Sequence, residues 1–213
     1  MNVVYLVRHG EVRNPNHIVY ADLPGFDLSA TGVVQAQHIG SHLSDKELDT
    51  VISSPLQRAI HTATQIARSC NVGLTIDERL TETRMYPHWS GKRWSEVEAE
   101  FPAQLAGYLE NAASLSDVQE SLEDIARRCM QVVDDTISAG NRRIAIVSHQ
   151  DPIASVRLAM LGMDLSGLRV DAPLHGSTTE LHSPDGRAWS QIASWAPEQD
   201  GPGTDRLRAS VHW

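Results

Sequence analysis

Long apolar runs are absent from this sequence of 213 residues, and no stretch approaches the roughly 18 residues of a membrane-spanning helix. The first residues also lack the basic start and apolar stretch of a secretory signal peptide. We therefore expect no membrane partner, and a cytoplasmic location is the default. Cysteine is scarce: Cys70 and Cys129 both lie in helix-like segments, so free thiols are expected rather than a disulfide.

Lysine is nearly missing as well, because the chain has sixteen arginines but two lysines, with a formal net charge of −9. No block of basic residues is present to neutralise phosphates along a polymer, which excludes general binding to nucleic acid or to anionic membranes. The planar guanidinium of arginine donates two parallel hydrogen bonds to phosphate oxygens, which the ammonium group of lysine does not. A few arginines collected at one point of an acidic protein suit a small anionic ligand.

Short β-branched runs alternate with amphipathic helical segments along most of the chain. This alternation predicts an α/β fold with a mainly parallel sheet and helices on both faces. On the first helix, the predicted buried face consists of Val33, Ala36, Ile39, Gly40 and Leu43. The predicted strands are 2–7, 49–53, 73–77, 143–148 and a late hairpin of 178–182 with 189–194; the predicted helices are 29–44, 54–70, 119–139 and 151–161.

Two helix starts carry specific expectations. Ser54 is interpreted as the cap of the second helix, with Pro55 at the first helical position and Gln57 placed for a capping box. Asp151, followed by Pro152, is expected to cap the last of the four helices.

The pattern loosens between Arg79 and Ser121, where tryptophans, turn residues and acidic stretches replace a regular period. Such a segment fits an inserted cap better than a core element. We therefore expect a single α/β domain over residues 1–196 with a cap insertion at about 79–121. The remaining residues, 197–213, are predicted to form a polar, glycine-rich C-terminal tail.

Three predicted strands end in polar side chains followed by a turn. The first ends in Arg8 and His9, the second is followed by Arg58 in the first turns of its helix, and the fourth leads into His149. Ligands of parallel α/β sheets bind outside the carboxyl ends of the strands, so we expect these groups at one rim. Two arginines, two histidines and the N-termini of helices together form a pocket for a dianion.

A phosphate monoester fits such a pocket. A neutral imidazole can attack phosphorus in line while arginines spread the charge on the equatorial oxygens. The leaving alkoxide then needs a proton from a nearby carboxylic acid. A metal site is the alternative for the histidines, but neither His9 nor His149 has a partner at a ligand spacing such as H-x-x-x-H.

The residues that carry this chemistry resemble, in order and spacing, the motifs of the histidine phosphatase superfamily, the phosphoglycerate mutase-like proteins. The resemblance covers residues 3 to about 182 and implies the fold of that family. The matching segments are Leu6-Val7-Arg8-His9-Gly10-Glu11, Leu28-Ser29-Ala30-Thr31-Gly32 with Gln35-Ala36, Ser53-Ser54-Pro55-Leu56-Gln57-Arg58-Ala59, Arg79-Leu80-Thr81-Glu82 and Val147-Ser148-His149.

Carried over residue by residue, the resemblance implies that His9 is the nucleophile that becomes phosphohistidine. Arg8, Arg58 and His149 would complete the phosphate pocket around it. Glu82, at the end of a segment that matches the family's proton-donor motif, would act as general acid and then as base for water. No metal is required, because the cationic side chains would do its electrostatic work, and no other cofactor is expected.

Further substrate contacts are expected from His175 and from one of two asparagines, Asn14 or Asn16. The family commonly has glycines after its second catalytic histidine, whereas this chain has Gln150 and Asp151. This departure changes the rim of the pocket and leaves its phosphate-binding groups in place.

The sequence therefore predicts a metal-independent phosphomonoester hydrolase that acts through phosphohistidine on a small phosphorylated metabolite. Phosphotransfer of the phosphoglycerate mutase type is the alternative, although mutases of this family are generally longer through the cap. A non-catalytic module that binds a phosphorylated ligand is a third reading, which the intact motif residues disfavour. Formation of a homodimer is an expectation at the level of the family alone.

Overall fold

A single six-stranded sheet organises the protein in the computed structural model, which describes residues 1–197. The strand order is β3-β2-β4-β1-β5-β6, in which the first four strands run parallel and the last two pair antiparallel. The predicted late hairpin is confirmed, and the predicted tail from residue 198 onward lies outside the described residues. The strands are β1 Asn2–Arg8, β2 Thr50–Ser53, β3 Gly73–Ile76, β4 Arg143–Ser148, β5 Thr178–Ser183 and β6 Ser190–Trp195.

The helices connect the parallel strands and pack on the sheet. Both predicted cysteine thiols are free, one half-buried and one buried in these helices. Across residues 1–197, no helix combines the length and apolar character needed to cross a bilayer. The helices are α1 Ala30–Leu43, α2 Gln57–Cys70, α3 Trp94–Glu100, α4 Pro102–Asn111, α5 Leu122–Ser138 and α6 Gln150–Met160.

Two hydrophobic cores cover the two faces of the sheet. Successive side chains of a strand point to opposite faces, so Tyr5 joins one core and Leu6 the other. The first core lies under α1 and α2, where Ile39 and Ile66 are fully buried. The second lies under α5 and α6 and extends beneath the segment between β3 and α5. The predicted α/β sheet with helices on both faces is confirmed.

Two details of the helices differ from the sequence-based expectation. Val33 is 41% exposed, because the buried stripe of α1 runs through Gly32, Gln35 and Ala36 and leaves Val33 on the outer side. The second helix begins at Gln57, and its N-cap is Leu56, two residues after the predicted cap Ser54; Leu56 makes no capping hydrogen bond through its side chain.

The last of the four predicted helices, α6, also begins differently. It starts at Gln150, with His149 at the N-cap position, and not after an Asp151 cap. The Asp151 side chain instead accepts a hydrogen bond from Tyr108 and forms an ion pair with Arg169. An interaction with groups distant in sequence has replaced the local cap.

Candidate active site

The register of the sheet brings the three predicted strand ends together. Arg8 pairs with Ser148 across β1 and β4, and Ser53 pairs with Val147 across β2 and β4. Two further backbone hydrogen bonds continue this pairing into the turns, from the His9 N–H to the Ser148 carbonyl and from the Ser54 N–H to the Val147 carbonyl. The side chains that follow each strand therefore meet at one rim of the sheet.

His9 lies in this rim and is 1% exposed. Its Nδ1 is 2.7 Å from the carbonyl oxygen of Gly10, and because a carbonyl can only accept, the ring proton lies on Nδ1. Burial lowers the pKa of His9 well below the ordinary value, and the neighbouring His149 and Arg58 lower it further. His9 is thus a neutral imidazole at pH 7 with its lone pair on Nε2.

A close backbone approach fixes the loop that carries His9. A Cβ added to Gly10 would lie 2.5 Å from the carbonyl oxygen of Gly32, the first buried residue of α1. The Gly10 N–H donates to the hydroxyl of Thr62 on α2 at 3.1 Å. Only a glycine permits this approach, so the backbone directly after the histidine packs against the start of α1.

His149 is fully buried beside His9, with the two ring centroids 5.0 Å apart. Arg58 Nε donates to His149 Nδ1 at 3.2 Å, so the ring proton of neutral His149 lies on Nε2 and points to Ser54 Oγ at 2.7 Å. Burial lowers the pKa of His149 well below its ordinary value, and the two pocket arginines Arg58 and Arg8 lower it further. Ser54 therefore holds a histidine and does not cap a helix.

Arg8 and Arg58 are buried cations, 2% and 1% exposed. Within residues 1–197, neither guanidinium has a carboxylate oxygen within the 4.0 Å of an ion pair. Arg8 donates to Gln150 Oε1 at 2.7 Å and lies 2.8 Å from both the Pro173 carbonyl oxygen and His175 Nε2. A buried cation without a carboxylate partner is costly, and an anionic ligand offsets that cost.

Arg58 is held by neutral groups as well. Its Nη2 donates to the Ala21 carbonyl, and its guanidinium carbon lies 4.7 Å from the centre of the Tyr20 ring. Burial is the main cause that lowers the pKa of both pocket arginines, although each keeps its charge at neutral pH. The rim is therefore an electropositive site with two guanidinium groups in place.

Glu82 supplies the predicted carboxyl group and is 2% exposed. It follows a short 3-10 turn, Glu78–Leu80, whose last carbonyl accepts a hydrogen bond from Ser148 Oγ at the end of β4. The pKa of Glu82 is raised to about 8, mainly by burial and also by nearby Asp151, against the opposing effect of a backbone hydrogen bond from Thr83 and of the two arginines. Glu82 is consequently protonated at pH 7 and can donate a proton.

A second network lies behind Glu82. Asp151 is fully buried and accepts from the Tyr108 hydroxyl at 2.8 Å, while Arg169 forms an ion pair with its other oxygen at 3.1 Å. The Arg169 guanidinium carbon is 4.1 Å from the centre of the Tyr108 ring. The sequence predicts that Gln150 and Asp151 lie at the rim, but it does not predict these contacts of Asp151. The position of Asp151 two residues after His149 is the signal in the sequence that points to them.

Of the residues predicted to make further substrate contacts, His175 lies beside the catalytic groups, whereas Asn14 and Asn16 lie in the loop after β1. His175 lies in the site, with its ring 5.5 Å from that of His9 and its Nε2 against Arg8. Asn14 closes its own loop through two hydrogen bonds to the backbone of Ile18, and Asn16 is exposed. A substrate contact from either asparagine stays a prediction.

Known proteins resemble this chain over most of its length. An uncharacterized protein of Mycobacterium tuberculosis is 34% identical over 185 residues, covering 85% of this chain and 91% of that protein. Phosphoserine phosphatase 1 of Hydrogenobacter thermophilus is 31% identical over 163 residues, covering 76% of this chain and 77% of that enzyme. The structure of a mycobacterial glucosyl-3-phosphoglycerate phosphatase with VO3 shares the fold, with a TM-score of 0.80 and 24% identity over 93% of this chain and 100% of that one.

A family profile covers nearly the whole described chain. The profile of the histidine phosphatase superfamily, branch 1, matches residues 4–195, a range that includes all three strand ends and Glu82. The chain belongs to the histidine phosphatase superfamily.

Proposed function

We propose that the protein is a metal-independent phosphomonoesterase that acts through a phosphohistidine at His9 on a small phosphorylated metabolite. One observation carries the proposal: a neutral buried imidazole with its lone pair on Nε2 lies at a rim with two buried arginines that form no ion pair with a carboxylate of residues 1–197. Phosphoserine phosphatase 1 of Hydrogenobacter thermophilus, the relative at 31% identity, supports the same chemistry, since it is a phosphatase.

In the first step, His9 Nε2 attacks phosphorus and forms the N–P bond while the ester P–O bond breaks. Arg8 and Arg58 donate to the non-bridging oxygens, whose charge grows in the transition state. His149 donates its Nε2–H to the same group without a second ring proton, because its Nδ1 accepts from Arg58. Glu82 gives its proton to the leaving alkoxide, so a neutral alcohol departs.

In the second step, water replaces the histidine. Glu82, now a carboxylate, takes a proton from a water molecule while the oxygen of that water attacks phosphorus. The N–P bond breaks, and its electron pair returns to His9. Phosphate leaves, and Glu82 is again protonated. We further propose that the segment at about 79–121, which contains Glu82, serves as the cap over the leaving-group side of the site.

A panel of phosphate monoesters tests the proposal directly. The pure protein is expected to release inorganic phosphate from sugar phosphates, phosphoserine or related small esters. The rate with EDTA present should equal the rate without EDTA. Rapid exchange of phosphate between phosphoglycerates with negligible hydrolysis would instead identify a mutase. Tight binding of the esters with no turnover would identify a binding module.

Arg58→Lys tests the forked contact to phosphate. Lysine keeps the positive charge but replaces five donors in a fixed plane by one ammonium group, so kcat/KM is expected to fall about 100-fold. Arg68→Lys is the matched control, because Arg68 is exposed on the same helix. Equal activity of the two lysine variants would contradict a phosphate contact at Arg58.

The pH dependence tests the role of Glu82 as an acid. With the pKa of Glu82 at about 8, kcat/KM for an alkyl phosphate is expected to decline above that pH, as the proton is lost. Asp151 raises this pKa, so Asp151→Asn removes a negative charge and should move the decline to lower pH. Asp134→Asn, an exposed charge deletion on α5, should leave the profile in place. A decline that stays unmoved in Asp151→Asn would contradict this assignment.

A further inference from the structure

The loop after β1 brings a buried tyrosine, Tyr20, against one of the two pocket arginines. Tyr20 is 1% exposed, yet it lies outside both hydrophobic cores. Its ring stacks on Phe26 with the centroids 5.1 Å apart, and the guanidinium carbon of Arg58 lies 4.7 Å from the ring centre. The carbonyl of the next residue, Ala21, accepts a hydrogen bond from Arg58 Nη2. Contacts of the ring and of the adjacent backbone therefore hold Tyr20 at the catalytic rim.

The hydroxyl of Tyr20 is buried and has no hydrogen-bond partner among the described residues. Two other buried tyrosines have paired hydroxyl groups, because Tyr5 accepts from Arg143 and Tyr108 donates to Asp151. A buried hydroxyl without a partner is unfavourable, and native proteins keep few of them. An acceptor atom on a bound ligand would satisfy the hydroxyl of Tyr20.

The charges around Tyr20 indicate which ligand atom its hydroxyl would meet. Burial raises the pKa of Tyr20 above its ordinary value, so the hydroxyl keeps its proton at pH 7 and can donate it to a hydrogen bond. Arg8 and Arg58 lower this pKa, and each of them affects it more than Glu82, which raises it. Burial lowers the pKa of both arginines, and Tyr20 is the group that opposes this effect most in each case. The hydroxyl is therefore coupled more strongly to the groups that bind the non-bridging oxygens than to the group that protonates the leaving oxygen.

We propose that the Tyr20 hydroxyl donates a hydrogen bond to a non-bridging oxygen of the phosphoryl group, as a further catalytic residue beside Arg8 and Arg58. The proposal rests on the proposed phosphomonoesterase function and adds a contact to the same site. Negative charge grows on these oxygens in the transition state, so a donor already held in place stabilises the transition state more than the ester. A neutral hydroxyl provides this contact without a further buried charge at the rim.

Tyr20→Phe tests the contact, because it removes the hydroxyl oxygen and keeps the ring that stacks on Phe26 and lies against Arg58. We expect kcat/KM to fall about 10- to 100-fold, and by the same factor for an alkyl and an aryl phosphate, since the lost contact is to the phosphoryl group. Wild-type kcat/KM in Tyr20→Phe would contradict the proposal. A loss confined to the alkyl ester would also contradict it, because the hydroxyl would then act on the leaving oxygen.

The matched control is Tyr5→Phe. It deletes the hydroxyl of another buried tyrosine, which contacts Arg143 at the end of β4 opposite the rim, and it should retain wild-type kcat/KM on both esters. A wild-type protein that hydrolyses neither ester would overturn the proposed function and the proposal together. An active wild type with an equally active Tyr20→Phe would overturn the proposal alone.

Inhibition and unfolding separate a catalytic contact from a structural role. Orthovanadate bound to an imidazole adopts the five-coordinate geometry of the transition state, whereas inorganic phosphate resembles the product. In Tyr20→Phe, the inhibition constant of vanadate is expected to rise by about tenfold or more, and that of phosphate by a smaller factor. The unfolding temperature of the free variant should equal or exceed that of wild type, because an unpaired buried hydroxyl is removed. Unchanged inhibition constants with a lower unfolding temperature would assign Tyr20 a structural role and contradict the proposal.

Discussion

His9→Ala is expected to lower phosphatase kcat/KM by at least about 10⁴-fold, the largest effect of any single substitution in this protein. The attacking nitrogen is lost, and the neighbouring imidazoles do not replace it, because His149 Nδ1 accepts from Arg58 and His175 Nε2 lies against Arg8. The remaining guanidinium groups still bind the ester, so substrate affinity should change far less than turnover. Measurement of kcat/KM and of product-inhibition constants for inorganic phosphate separates the two.

The control for this substitution lies on α1. His38 is exposed there, so His38→Ala should retain wild-type activity and a similar unfolding temperature. Equal turnover by wild type and His9→Ala on the same ester would contradict nucleophilic catalysis by His9. A protein with equal, very slow turnover in both forms would instead be a binding module.

Glu82→Gln is expected to have the second largest effect, and one that depends on the leaving group. For an alkyl phosphate, kcat/KM should fall about 10³-fold, because a strongly basic alkoxide must leave without its proton. For an aryl phosphate, kcat/KM should fall by less than about tenfold, since a phenolate of lower basicity leaves unaided. Release of the phenol should then occur as a burst, because the variant also lacks the base that activates water.

The matched control is Glu78→Gln, an exposed carboxylate in the 3-10 turn just before Glu82. It should retain both activities. A loss of the same size on alkyl and aryl esters in Glu82→Gln would assign Glu82 a structural role and leave the proton donor unidentified.

The sequence was sufficient to predict the rim itself. Parallel strands align their carboxyl ends, and β1, β2 and β4 are adjacent, so polar residues directly after each strand had to meet. His9, Arg58 and His149 could be assigned on that basis because each lies within a few residues of a strand end. The alternation of strands and helices was likewise sufficient for the sheet and for the two covered faces.

The contacts behind the rim could not be predicted in this way. Ser54 has the residue type and spacing of a helix cap, and only the position of His149 across the sheet shows why its hydroxyl is used there. The network of Asp151, Tyr108 and Arg169 joins three segments that no local pattern links. Its effect on Glu82 depends on burial and distance, which are properties of the folded chain.

The two buried arginines of the site are held by neutral groups, although the protein as a whole is acidic. A chain of net charge −9 places two arginines where no carboxylate of the described residues pairs with them, and holds them with carbonyl, amide and imidazole acceptors. This arrangement costs stability in the free protein, and under the proposed function it would stabilise the charge of a bound phosphoryl group. The buried, protonated Glu82 complements it, since a carboxylate there would compete with the substrate for the same cations.

Direct detection of the phosphoryl group is the most decisive measurement. Glu82→Gln protein is mixed with an aryl phosphate, quenched in alkali within the burst, digested and analysed by mass spectrometry. We expect one phosphoryl group on the peptide that contains His9, stable in alkali and lost in acid, as a phosphoramidate should be. Rapid phenol release with no phosphoryl group on His9, or with the group on a serine or a carboxylate, would contradict the account.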